Sequence, residues 1–278
     1  MLSYRHSFHA GNFADVLKHI VLVETIAHLQ QKPKAFDYID THSGAGLYNL
    51  ASADAGKLSE HEGGIGKLSR KQLPELKRYF DLIEQCQQSS KVRFYPGSPM
   101  FAKLMLRQHD KAWLTELHPQ DFKHLSNNMG KTRQIRISQE DGLKRLKAVL
   151  PPQSRRALVL IDPSYEIKSE YQQVFDAIAY GHKKFATGVY ALWYPVVERE
   201  RIDKLDQQFI DSGIRNIQRF ELGIGPDSDE KGMTSSGMYV VNPPWKLFAT
   251  MEALLPKLAQ YIGEGDSQYF KCEQLVAE

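Results

Sequence analysis

What the chain has little of narrows the field first. Its two cysteines, Cys86 and Cys272, stand far apart without zinc-type or redox spacing, which excludes a disulfide scaffold and a zinc-thiolate domain. A reducing, cytoplasmic compartment is the expectation. Long apolar runs are missing; the best, at 157–161, is far too short to cross a bilayer. No apolar stretch follows Arg5, His6 and His9, so no secretory signal is expected. Charge of one sign is missing too. The 36 basic and 33 acidic residues leave a formal net charge of +3, so an anionic partner must be held by a local patch. What is present suffices for one large domain, or one domain with an insertion: 278 residues, 42% apolar and 25% charged.

The pattern along the chain alternates. Asn12 can cap a helix, with Asp15 three residues on. Phe13, Val16, Leu17, Ile20, Val23 and Ala27 then recur at helical spacing. A strand is expected at 35–40, ending in the small-residue loop Thr41-His42-Ser43-Gly44-Ala45-Gly46. Residues 51–96 are rich in Lys, Glu, Gln and Ser, with helical stretches around 73–85; they read as an inserted helical subdomain, leaving 1–50 and 97–278 as the main domain. Further strands are expected at 111–116, 134–138, 157–161, 187–194 and 237–241, with helices between them, including 171–181 and 198–212. This predicts an α/β fold with a mostly parallel, doubly wound sheet.

Ligands of such sheets bind beyond the carboxyl ends of the strands. After the first strand come Asp40, His42 and the Gly44-Ala45-Gly46 turn; after the second, Glu116; after the third, Asp141 and Gly142; after the fourth, Asp162. Any one of these has an ordinary structural explanation, as a tight bend, a helix cap or a surface charge. In order, four acids on one rim suit the hydroxyls and amines of a nucleoside, which donate hydrogen bonds.

Asp162-Pro163-Ser164-Tyr165 is the sharpest signal. It looks like the [DNS]-P-P-[YFW] motif of amino-group methyltransferases, with Ser164 where the second proline belongs. An exocyclic base amine is conjugated with its ring and is a poor nucleophile. The Asp162 carboxylate and the Pro163 carbonyl can accept both amine hydrogens and free the lone pair. Tyr165 can stack on the base. Asn242-Pro243-Pro244-Trp245 matches the motif more literally but comes after a later strand, so position favours Asp162. The glycines 63–66 before Lys67 lack phosphate-loop spacing.

The opening Met1-Leu2-Ser3-Tyr4-Arg5-His6-Ser7-Phe8-His9-Ala10-Gly11-Asn12-Phe13-Ala14-Asp15-Val16-Leu17-Lys18-His19 resembles the ribosomal RNA large subunit methyltransferase J family. The resemblance runs essentially the full length. It implies a Rossmann-like class I fold and S-adenosylmethionine-dependent methylation of N6 of one adenine in 23S rRNA. It places cofactor contacts on Lys18 or His19, His42, Gly44, Ser98, Glu116, Asp141, Gly142 and Asp162. Glu116 would take the ribose hydroxyls and Asp141 the cofactor's adenine amine. Tyr4, His6 and Lys18 would face the RNA, with Asp162, Pro163, Ser164 and Tyr165 as the catalytic tetrapeptide. Ser164 departs from the family's usual proline, which puts the stiffness of that turn in doubt.

The expected partner is 23S rRNA, free of ribosomal proteins or early in assembly, because an unstructured segment lowers the cost of flipping a base. Phosphate-facing cations would be Arg5, Lys18, Lys32 and Lys34, with Lys67, Arg70 and Lys71 in the insertion. No metal is expected: His6, His9 and His19 lack a completing ligand set, and a sulfonium is already activated. A monomer without membrane contact is expected. A noncatalytic RNA-binding protein of the same fold, a DNA adenine-N6 methyltransferase and a protein-amide methyltransferase stay open as alternatives.

Overall fold

A computed structural model describes residues 6–87, 93–227, 232–264 and 269–278. Among the described residues the strands are β1 (Asp37–Asp40), β2 (Leu47–Asn49), β3 (Phe94–Pro96), β4 (Lys111–Thr115), β5 (Ile135–Ser138), β6 (Ala157–Ile161), β7 (Val189–Val196), β8 (Ile217–Gly223), β9 (Ser235–Val241) and β10 (Tyr269–Val276). The α-helices are α1 (Phe13–Leu29), α2 (Ala53–Leu58), α3 (Glu60–Gly63), α4 (Lys77–Gln85), α5 (Ser98–Met105), α6 (Pro119–Met129), α7 (Gly142–Val149), α8 (Glu170–Lys184), α9 (Arg199–Asp211) and α10 (Leu247–Ile262).

Eight strands form one sheet in the order β5-β4-β1-β6-β7-β9-β8-β10. β5, β4, β1, β6 and β7 pair in parallel, and the antiparallel β9 sits between β7 and β8. The Rossmann-like α/β reading holds. β6 shows why: Leu158 and Leu160 enter one hydrophobic cluster, Ala157, Val159 and Ile161 the other. A strand buried on both faces reads as an unbroken apolar run. One face is covered by α1, α5 and α10, the other by α7, α8 and α9.

α1 begins where expected, with the Asn12 side chain accepting the Asp15 amide. Nearly all its residues are buried, because α5, α10 and the sheet enclose it. Residues between β2 and β3 carry α2, α3, α4 and two 3-10 turns, and β2 and β3 pair antiparallel at their base. Leu73, Leu76, Tyr79 and Phe80 from this segment join the cluster that covers α1. Tyr79 stacks on Phe101, and its hydroxyl lies 2.9 Å from that of Tyr95.

Four strands escape the alternation rule: β2, β3, β8 and β10. β2 and β3 are three residues each. β8 interrupts its apolar residues with Arg219 and Glu221, both buried. Glu221 meets Arg199 at 2.7 Å, and Arg219 pairs with Asp206 and Glu273. Burial here follows ion pairing, which a hydrophobic pattern does not record.

Candidate active site

The carboxyl ends of β1, β4, β5 and β6 open into a cavity of about 310 Å³. Its walls bring together Lys18, His19, His42, Gly44, Ser98, Glu116, Asp141, Gly142, Asp162, Pro163 and Ser164. His6 lines it as well, while Tyr4 lies outside the described residues. Behind Asp162 is a second cavity, lined by Tyr165, Tyr171, Trp193, Pro195 and Arg201. His6, Lys18, Asp162 and Ser164 line both.

The first cavity is shaped by close backbone contacts. Gly142 opens α7 against Thr41, and a Cβ there would lie 1.9 Å from the Thr41 carbonyl oxygen. Gly44 has φ +58°, and a Cβ would meet the Tyr48 hydroxyl at 2.2 Å. Only glycine fits either place. Asp141 caps α7, its Oδ1 accepting the Lys144 amide at 3.1 Å. The ordinary explanation of that residue is therefore true, and it lines the cavity nonetheless. Glu116 accepts the amides of Gly44 and His118, each at 2.7 Å, and burial raises its pKa.

Beneath the mouth, Asp40 is fully buried and accepts the Tyr38 and Ser98 hydroxyls at 2.6 and 2.7 Å. Burial pushes its pKa up to about 6, against those hydrogen bonds. The Ser98 hydroxyl thus faces Asp40 from the cavity wall. Burial lowers His42 to about 4 and His19 to about 3, so both are neutral at pH 7. His19 is held within the core, 2.8 Å from the Tyr95 hydroxyl with its ring against Phe101.

Lys18 and Asp162 form the centre. The Lys18 ammonium donates to Asp162 Oδ2 at 2.6 Å and approaches Asp15 Oδ1 at 2.8 Å, and its side chain is 4% exposed. Burial alone would lower its pKa; the two carboxylates outweigh that and raise it. Asp15 Oδ2 also takes the Gly11 amide and lies 2.9 Å from His6 Nε2. Burial would raise Asp15, but His6 and Lys18 hold it well below the usual carboxylate range. Lys18 is therefore buried between two carboxylates rather than displayed to phosphate.

Tyr165 takes φ +54° and sends its hydroxyl to the Trp193 carbonyl oxygen at 2.7 Å. Its ring packs on Tyr171 and turns into the second cavity. Sequence reasoning missed that cavity's other walls, and missed Asp15 as a partner of Lys18. The signal was an acid and a lysine three apart on an otherwise apolar helix face.

The rival motifs find structural work. The Asn242 side-chain amide donates to the carbonyl oxygens of Ala186 and Gly188 at 2.7 and 2.8 Å, at the end of the sheet away from the cavities. Gly64 packs on the backbone of Gly11 and Asn12, and Lys67 donates to the Ile262 carbonyl. His6 and His9 reach Asp15 and Glu60 respectively. Among the described residues no three metal-binding side chains converge.

The family described as Ribosomal RNA large subunit methyltransferase D, RlmJ, matches residues 33–273. The chain belongs to this family. Ribosomal RNA large subunit methyltransferase J of Escherichia coli (strain K12) is 51% identical over 260 residues, covering 93% of each chain. The Haemophilus influenzae protein of the same name is 49% identical, covering 94% of each. A solved protein of Legionella pneumophila str. Philadelphia 1 superposes with a TM-score of 0.87 at 36% identity, covering 96% of this chain and 98% of that one. The chain is accordingly a methyltransferase, with S-adenosylmethionine as methyl donor. The mouth fits that group: its walls present the carboxylates of Glu116, Asp141 and Asp162 to a cationic, hydroxyl-bearing ligand.

Proposed function

We propose that this protein methylates N6 of one adenine in 23S rRNA, with the cofactor in the first cavity and the flipped base in the second. The observation that carries the reading is the place of Asp162. It stands at the junction of the two cavities, on the loop that follows β6. A nucleophile drawn from one cavity and a methyl group from the other would meet beside its carboxylate.

When bound, S-adenosylmethionine supplies a methyl group on a sulfonium, whose thioether leaves without further activation. In this reading the chain's own residues prepare the amine. Asp162 and the Pro163 carbonyl accept its two hydrogens, and Tyr165 with Trp193 encloses the base from the second cavity. Asp162 Oδ2 is held by the Lys18 ammonium, so the incoming amine competes with that hydrogen bond. Glu116 would take the ribose hydroxyls and Asp141 the cofactor's adenine amine, with His42, Gly44, Ser98 and Gly142 forming the walls. Tyr4 and His6 would meet the RNA, with Lys18 behind Asp162 at the wall of the second cavity. Residues 51–96 would act as an inserted subdomain on a monomeric, cytoplasmic enzyme.

The test is methyl incorporation into naked 23S rRNA, with the product nucleoside identified. N6-methyladenine at a single position is expected. Methylation of another atom, or none where a control enzyme works, would overturn the reading. Loss of turnover in Asn242→Ala with the fold intact would move the site to the second motif.

A further inference from the structure

At the end of the sheet opposite the mouth lies a groove of about 660 Å³, lined by His28, Lys32, Lys34, Arg155, Arg156 and Trp245 among others. Among the described residues no acidic side chain lines it. Lys32, Lys34, Arg155 and the adjoining Lys246 are exposed and make no ion pair among the described residues. Trp245 is 73% exposed, more than any other large apolar side chain described. The Lys246 ammonium sits 4.8 Å from its ring centre.

The groove is held in shape by hydrogen bonds that do not cancel its charge. The Arg156 guanidinium donates to the carbonyl oxygens of Leu29 and Lys34, at 2.7 and 2.5 Å. Arg107 donates to those of Lys32 and Lys34, at 2.8 and 3.0 Å. The loop carrying the two lysines is thereby fixed from both sides. Asn242 fixes the Trp245 turn in the same way, through Ala186 and Gly188. His28 feels the resulting field: burial first, then Lys32, Arg156 and Lys246, lower its pKa.

We propose that this groove binds a flanking segment of the substrate RNA, with Lys32, Lys34 and Arg155 on phosphates and Trp245 stacked on an unpaired base. The proposal rests on the reading of the protein as an RNA methyltransferase. Exposed cations beside an exposed aromatic ring answer the two faces of a single strand, its phosphates and its bases. A carboxylate-rich peptide offers no flat ring for Trp245. A membrane surface would call for several exposed apolar groups, and here one aromatic ring stands among cations. From Lys18 at the mouth to its end at Leu29, just before the loop of Lys32, α1 rises about 17 Å. Only an RNA longer than the flipped nucleotide and its immediate neighbours can fill both places.

The experiment compares wild type with Trp245→Ala and with the triple variant K32E/K34E/R155E. Binding is followed by fluorescence anisotropy on a long 23S rRNA fragment and on a few-nucleotide oligomer around the target. The long fragment is expected to bind at least tenfold more weakly to the triple variant, with a salt slope smaller by about 2 for three lost phosphate contacts. KM for it rises while kcat, cofactor affinity and binding of the short oligomer stay at wild-type values. Unchanged affinity and slope for the long fragment would overturn the proposal and leave the assigned reaction standing. A second readout is independent of turnover: quenching of tryptophan fluorescence by oligouridylate, expected in wild type and lost in Trp245→Phe. If the enzyme methylates no rRNA, this quenching still decides the groove. Equal quenching by polyglutamate or by anionic vesicles would overturn RNA as the occupant.

Discussion

The two ends of the sheet carry opposite charge. At the mouth, the strands deliver Glu116, Asp141 and Asp162. At the base, the loops that enter the strands deliver Lys32, Lys34, Arg155 and Arg156. The architecture itself sorts them. In a parallel sheet with returning helices, helix N-termini gather at the mouth and C-termini at the base. Asp141 caps the start of α7, and Lys183 and Lys184 close the end of α8. A net charge of +3 thus conceals a molecule with one acidic and one basic pole. Donor-rich ligands suit the first and phosphates the second.

This contrast can be broken at specific places. The largest effect is expected at the mouth: Asp162→Ala should lower kcat at least 1,000-fold, about 4 kcal/mol of transition-state stabilisation. Cofactor binding, read by calorimetry, should survive in part; turnover like wild type would remove Asp162 from the chemistry. Next, Lys18→Met leaves Asp15 and Asp162 without their cation, and should cost roughly 3–5 kcal/mol in denaturant unfolding. Gly142→Ala forces a methyl into the Thr41 carbonyl and should cost about 1–3 kcal/mol, with weakened cofactor binding. At the base, Asn242→Ala should lose about 1 kcal/mol with kcat unchanged.

Stability should also depend on pH, chiefly through buried groups at the mouth. His19 and His42, lowered to about 3 and about 4, bind fewer protons folded than unfolded below pH 6.5. Their contribution to stability is lost as pH falls through that window. Asp40, raised to about 6, binds more protons folded than unfolded and acts in the opposite sense. The two imidazoles are displaced further than Asp40, and their losses outweigh the gains from Asp40 and Glu116, so Tm is expected to decline from pH 6.5 to 4. A flat profile would contradict neutral, buried imidazoles.

Much of the mouth could be read from the chain because Glu116, Asp141 and Asp162 each follow a strand expected from the sequence, the clearest being the apolar run of β6. β6 was found to the residue, and the tetrapeptide after it carries its own chemical logic. What could not be read depends on distance in space. Lys32 and Lys34 follow Lys18 closely in sequence, yet a 17-residue helix carries them to the opposite pole. Conversely, Lys18 finds Asp162 across 144 positions. β8 stayed hidden because Arg219 and Glu221 are buried by ion pairs, and Tyr165 because its left-handed backbone turns the ring away from the first cavity. None of these is a property of a local window.

The burial of α1 bears on how the chain is made. α1 leaves the ribosome well before β8, β9 and α10, the elements it packs against. Until residue 262 has emerged, Leu17, Ile20, Val21 and Ile26 have no complete shelter. An apolar helix that waits this long for its partners is an open target for chaperones and for aggregation. Completion of the fold is thus gated by β8, β9 and α10, and the Lys18–Asp162 contact cannot exist before β6 is in place.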